Sequence, residues 1–269
     1  MAGNGTYEQE FTESDLEDLR TAKSILENPS LTAQISDVIG TPMEKVLEHV
    51  PEKLRNSIGD ITHQALLQGL NIAVASLGET AQRSSRNRLH KILAFGTGVT
   101  GGLFGFTALA VELAATTGVI LRSIADIAQS EGHDLARLEV RLGCLEVFAL
   151  GGTTAKDDAV EGGYWVARGA MAQQLRQAAA YIAEQGFAEE GAAPILVRLI
   201  SKIAARYSTV VTEQAVAKAI PIVGAASGGL INLLFMSHFQ SMARGHFIIK
   251  RLESKYGTEL VREKYAAAA

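Results

Sequence analysis

Apolar residues along this chain recur at helical spacing, and no convincing period-two run occurs. Leu16, Leu19, Ala22 and Leu26 repeat every three to four positions between Asp15 and Asn28, and Pro29 ends the run, which predicts a short amphipathic surface helix. Thr41-Pro42 and Val50-Pro51 each place a proline where a first helical turn tolerates it, so helices are predicted to start at both, the second running to a C-cap at Gly78. Asp134 is a predicted N-cap for a helix reaching about Leu150. Helical patterns follow over 164–185 and 194–218, and Pro221 opens a last apolar element leading into Arg244, Lys250 and Arg251. Residues 151–163 read as a loop and a candidate division between two subdomains, and Ala266 to Ala269 as a frayed tail. The expected class is all-α, a multi-helix bundle of packed helical hairpins.

Two glycine-rich apolar segments interrupt this pattern. Between Leu89 and Leu121 only His90, Lys91 and Glu112 can carry charge. Positions 92 to 111 are uncharged and as one helix would span about 30 Å, the thickness of a hydrocarbon core. Against a single membrane-crossing helix, Gly96, Gly98, Gly101, Gly102 and Gly105 would each weaken it by about 1 kcal/mol relative to alanine. Their Gly-x-x-x-Gly spacing suits close helix contact instead, so a break near the glycines is expected. The second segment, Ala219 to Ala243, carries no formal charge and repeats the pattern with Gly224-x-x-x-Gly228. Gly98, Gly102, Gly105, Gly224 and Gly228 are therefore candidates for helix packing.

On a helical wheel Glu112, Thr116, Arg122, Ser123, Asp126 and Ser130 fall within about 120° of one another. Such a stripe should lie inside the assembly or line a groove. Arg122 and Asp126 are spaced to pair, and Arg122→Ala is expected to cost about 1 to 3 kcal/mol if the stripe is buried. Ser237, Gln240, Ser241, Arg244, Arg251 and Lys255 share one face of the last long helix. Asn232, in its apolar part, calls for a hydrogen-bond partner.

A hydrophobic content of 47%, 6% aromatics and five prolines favour closely packed helices over a sandwich. The net charge of -4 is uneven: residues 1–60 carry twelve acidic and five basic groups, and the remainder seventeen and twenty. Residues 1–28 thus read as an acidic helical segment and 29–269 as one helical domain. The slight basic excess is too small for nucleic acid, and that class of partner is set aside. No basic, apolar leader opens the chain, so a cytoplasmic location is expected. Cys144, the single cysteine, lies in an apolar run and reads as an inert core residue.

Gly96-Thr-Gly98-Val-Thr-Gly101 matches a dinucleotide fingerprint, but the acids downstream, Glu112 and Asp126, fall in a predicted helix where the fold would need a strand. No phosphate loop, His-Glu-x-x-His or Gly-x-Ser-x-Gly occurs. His238 and His246 could share a helix face, yet no acid or cysteine completes a metal shell there. No catalytic, cofactor or metal residues are predicted. The candidates for lipid contact are Arg83, Arg86, Arg88 and Lys91, beside the first apolar segment, and Tyr164-Trp165 with Arg168 as an interfacial anchor, for which core packing is the alternative.

Three blocks carry a family resemblance: Gly40-Thr-Pro42 with Val50-Pro51; Glu112 and Arg122 through Asp134 with Glu139; and Ile220-Pro-Ile-Val-Gly224 through Asn232-Leu-Leu-Phe235 with Ala243 and Phe247. Together they cover most of the chain, and it resembles the EcsC protein family. The resemblance implies a bacterial, all-helical, cytoplasmic protein that associates with membranes, the family being named from a member encoded beside an ABC transporter. It supplies no catalytic residues. This chain departs from the family's central tyrosine-glycine-aspartate by reading Glu131-Gly132-His133-Asp134. The function expected is a non-enzymatic protein, peripheral at the inner face of the plasma membrane, contacting anionic lipid or an integral membrane partner such as a transporter. The alternative is a soluble helical protein that binds a lipid or other small apolar ligand between helices.

Overall fold

A computed structural model describes residues 10–27, 31–75, 105–152, 163–187, 193–219 and 224–268, which form ten α-helices and no strand. In chain order these are α1 (Glu13–Leu26), α2 (Leu31–Ile39), α3 (Met43–Glu48), α4 (Glu52–Ala75), α5 (Gly105–Ser130), α6 (Leu138–Leu150), α7 (Gly163–Gln185), α8 (Pro194–Ala219), α9 (Gly224–Tyr256) and α10 (Thr258–Ala267). The all-α bundle expected from the periodicity is what forms. Both prolines act as anticipated, with α3 starting after Pro42 and α4 after Pro51. Gly78, Gly98, Gly102 and the cluster Arg83, Arg86, Arg88 and Lys91 lie outside the described residues.

The bundle is organised around its short helix α6. Leu142 to Leu150 are buried without interruption, so this stretch of the helix has no face to offer water. A helical stretch buried on every side has to be surrounded, and α4, α5, α7, α8 and α9 all pack on this helix. Phe148 joins an aromatic cluster in which Tyr207 and Phe239 each touch both Phe148 and Phe235, ring centroids 4.8–6.1 Å apart in tilted and edge-on pairs. The carbonyl of Ala149, left open at the helix end, accepts from Arg206 Nε at 2.7 Å. At Gly152 a Cβ would sit 2.4 Å from the Arg206 carbonyl oxygen, so only glycine lets the chain leave α6 across α8.

Helix α1 is a strap along the C-terminal half of α9. Thr12 caps it by accepting from the Asp15 amide, and Leu19, Ala22 and Leu26 bury its inner face. Gly245 of α9 admits the strap: a Cβ there would lie 2.8 Å from Leu26 Cγ.

Two expectations need correction. Asp134 does not cap α6; its Oδ1 accepts from the Ala136 amide at 2.8 Å, closing a side-chain turn, and the helix begins at Leu138 with Arg137 as N-cap. The C-terminus is not frayed through Ala268. Val261 and Tyr265 bury one side of α10, and Lys23 Nζ donates to the Ala268 carbonyl at 2.6 Å. No helix among the described residues is long and apolar enough to cross a membrane.

Candidate functional site

Four helix termini converge at one end of the bundle. Gly118 of α5 lies against Ile72 of α4, where a Cβ would be 3.8 Å from the Ile72 Cδ1. Lys218 at the end of α8 donates to Glu112 near the start of α5 at 2.5 Å, and Gln214 of α8 donates to Asn232 of α9 at 3.0 Å. The last turns of α4 and α8 thus lie beside the N-terminal halves of α5 and α9. Asn232 has the partner it called for, but at the surface, not in the core.

Among the described residues the exposed large hydrophobic side chains are Ile72, Val111, Val166, Leu230 and Leu233. All but Val166 stand at this end, with Val111 57% and Leu233 62% accessible. Chain connectivity adds to the concentration. Residues 76–104, with the basic cluster and most of the first glycine-rich segment, leave α4 and enter α5 here, and 220–223, Ile-Pro-Ile-Val, join α8 to α9 here. Gly105, Gly224 and Gly228 all lie in the first turns of α5 and α9. The two glycine-rich segments, distant in sequence, are tethered to the same end.

The two predicted polar faces meet one another farther along the bundle. Ser123, Asp126 and Ser130 of α5 face Ser237, Gln240, Ser241 and Arg244 of α9 across a groove of about 550 Å³. Gln240 Nε2 donates to Ser123 Oγ at 2.8 Å and ties the helices together. Of the stripe, Ser123, Asp126 and Ser130 line this groove, whereas Glu112 pairs with Lys218; the predicted ion pair is not buried, since Arg122 and Asp126 approach only to 4.0 Å, with the Asp126 side chain 68% exposed.

Trp165 and Arg168 are held by interior partners. The Trp165 ring meets Tyr265 edge-on at 5.5 Å, and the Arg168 guanidinium lies 5.4 Å from the Trp165 ring centre. Arg168 donates twice to the Glu253 carboxylate, at 2.8 and 2.5 Å. A headgroup anchor needs both side chains turned outward; here packing and a bidentate ion pair turn them in.

The sequence reading missed a buried polar group beside that ion pair. Tyr164 of α7, Glu146 of α6 and His246 of α9 are all buried. The Tyr164 hydroxyl is 3.0 Å from His246 Nδ1, and His246 Nε2 is 3.5 Å from Glu146 Oε2. Burial pushes His246 down to about 4, against the pull of Glu146, so the ring is neutral and the tyrosine donates to Nδ1. Burial alone would raise the Glu146 carboxyl, but His246, Lys250 and Arg168 hold it below its usual range, and it is ionised. An acid does therefore stand beside His246, contributed by a different helix. The available signal was Glu146 itself, the one charge within Leu142 to Leu150. Cys144 is fully buried, which pushes its thiol up to about 12 and leaves it inert. His238 donates elsewhere, to the Gly151 carbonyl at 2.8 Å. No group of three metal-ligating side chains assembles among the described residues.

Neither a curated protein nor a solved structure matches the chain. Residues 13–252 match the EcsC protein family, a span from the first residue of α1 to the last turns of α9. It takes in the converging termini, the polar groove and the buried glutamate, and on that extent the chain belongs to the EcsC protein family.

Proposed function

We propose that the protein is a non-enzymatic, membrane-associated helical protein that docks on an anionic lipid surface through the end where α4, α5, α8 and α9 terminate. The observation that carries this reading is the gathering of Ile72, Val111, Leu230 and Leu233 at that end. Apolar surface withdrawn from water stabilises association by about 25 cal/mol per Å². Each of Arg83, Arg86, Arg88 and Lys91, in the connection tethered there, adds about 1 kcal/mol near an anionic surface. Docking of this kind is peripheral, and the cytoplasmic face of the plasma membrane, with its anionic lipid, is the matching location. A lipid held between helices has less support, because hydroxyls and charges line the groove between α5 and α9.

Sedimentation with phosphatidylglycerol-rich vesicles and with phosphatidylcholine vesicles tests the proposal. Pelleting is expected with the anionic vesicles, weakening as salt rises, and lost in Val111→Glu/Leu233→Glu at unchanged thermal stability. Negligible pelleting with both vesicles at low salt, or pelleting indifferent to the double substitution, would overturn it.

A further inference from the structure

A separate cleft of about 190 Å³ opens between α6, α7 and α9, about 25 Å along α9 from Leu233. Glu146 forms its floor, Leu142, Ala172 and Leu175 its apolar wall, and Lys250 and Arg176 its cationic side. The floor is unusual. Glu146 is 1% exposed, and its Oε1 is buried without a hydrogen-bond partner. Around Oε2 the donors stand off, His246 Nε2 at 3.5 Å and Lys250 Nζ at 3.9 Å, both long for a hydrogen bond. A buried ionised carboxylate with so few contacts calls for an explanation in terms of function.

Lys250 is the movable part. Its side chain, 26% exposed, lies over the bare backbone of Gly143, where a Cβ would meet Nζ at 3.3 Å. Arg168, the other cation beside Glu146, is committed to Glu253 by two hydrogen bonds. Lys250 and the exposed Arg176 therefore remain to receive an acid, and Glu146 to receive a cation.

We infer that this cleft binds a small zwitterion, an α-amino acid with a compact apolar side chain. Its ammonium takes the place of Lys250 over Glu146, its carboxylate is held by the displaced Lys250 and by Arg176, and its side chain lies against Leu142, Ala172 and Leu175. Exchanging one ammonium for another keeps the buried carboxylate neutralised, whereas removing Lys250 without a replacement would strand it. An acid lacking an amine would meet Glu146 unshielded. An amine lacking an acid would leave the displaced Lys250 and Arg176 with only the exposed rim carboxylate of Glu139 to offset them. The volume is below that of pockets for drug-sized ligands and suits a metabolite of this size.

Calorimetry of the full chain with L-leucine, L-valine and L-alanine tests the inference, with 4-methylpentanoate and 3-methylbutylamine as the two halves of leucine. At least one amino acid should bind, and each half-molecule at least about tenfold more weakly. Arg176→Glu, at the exposed rim, should weaken amino-acid binding by about tenfold or more without shifting the melting temperature. Glu146→Gln should abolish binding, with circular dichroism reporting whether that variant folds. The inference fails if no amino acid gives heat up to millimolar concentration, if binding is indifferent to Arg176→Glu, or if a half-molecule binds as tightly as the whole. None of these readouts depends on vesicles, so lipid docking and this site stand or fall separately.

Discussion

The two halves of α9 treat their surroundings in opposite ways. In its C-terminal half Arg251 reaches Asp18 at 2.8 Å and Glu131 at 3.3 Å, and Lys255 and the Tyr256 hydroxyl converge on Asp15 at 2.7 and 2.6 Å. Those bonds, Lys255 first and then Tyr256 and Thr12, hold the Asp15 carboxyl far below its usual range. In the N-terminal half Leu230 and Leu233 are exposed, although Phe235 and Phe239 on the other side of the same helix are fully buried. Helix propensity cannot account for the contrast, since both halves are one helix. What differs is the neighbour: the C-terminal half has α1 with matching charges, and nothing within the described bundle covers the apolar side of the N-terminal half.

The sharpest way to break the comparison is to truncate one residue of each kind. Phe239→Ala should cost about 3 to 5 kcal/mol, as loss of a packed aromatic does, whereas Leu233→Ala should stay within about 0.5 kcal/mol. Equal costs in urea denaturation would mean Leu233 is covered within the protein.

The next effect is electrostatic. His246 takes its proton near 6.5 when unfolded and only near 4 when folded, so the unfolded chain binds the proton first as pH falls. Stability present above pH 6.5 should thus be lost between there and pH 4, by on the order of 3 kcal/mol. His133, whose pKa burial also pushes down, acts in the same direction. A denaturation midpoint that stays flat from pH 7 to 4 would contradict a neutral buried ring between Tyr164 and Glu146.

At the charged half, Gly245→Val should lift α1 from its seat, because the new Cβ would fall 2.8 Å from Leu26 Cγ. A loss of about 1 to 3 kcal/mol is expected, together with faster amide exchange confined to α1. Protection spread evenly over the chain would show that the strap does not open by itself. The smallest effect belongs to Arg122→Ala. Its surface pair with Asp126, at 4.0 Å, is worth no more than about 1 kcal/mol, below the range expected for a buried stripe.

Local features were legible from sequence and convergent ones were not. Pro42, Pro51 and Pro194 mark helix starts through their own backbone geometry, and the polar faces of α5 and α9 could be read on a wheel before their partners were known. The polar group Tyr164, Glu146 and His246 comes from three helices, with Tyr164 and His246 82 positions apart, so no spacing rule joins them. Helix α10 escaped notice because it buries only Val261 and Tyr265 among charged neighbours. Trp165 with Arg168 looked like an anchor because its true partners, Tyr265 and Glu253, lie far along the chain.

At 33 residues α9 is a continuous rod of about 50 Å, and it links the apolar tip to the strap. A molecule seated on lipid by that tip acquires a posture. The acidic α1, clasped near the far end of the rod, is carried several screening lengths of about 8 Å away from a surface that would repel it. The mouth between α6, α7 and α9 is raised with it into bulk water, so anything it collects arrives from the aqueous side.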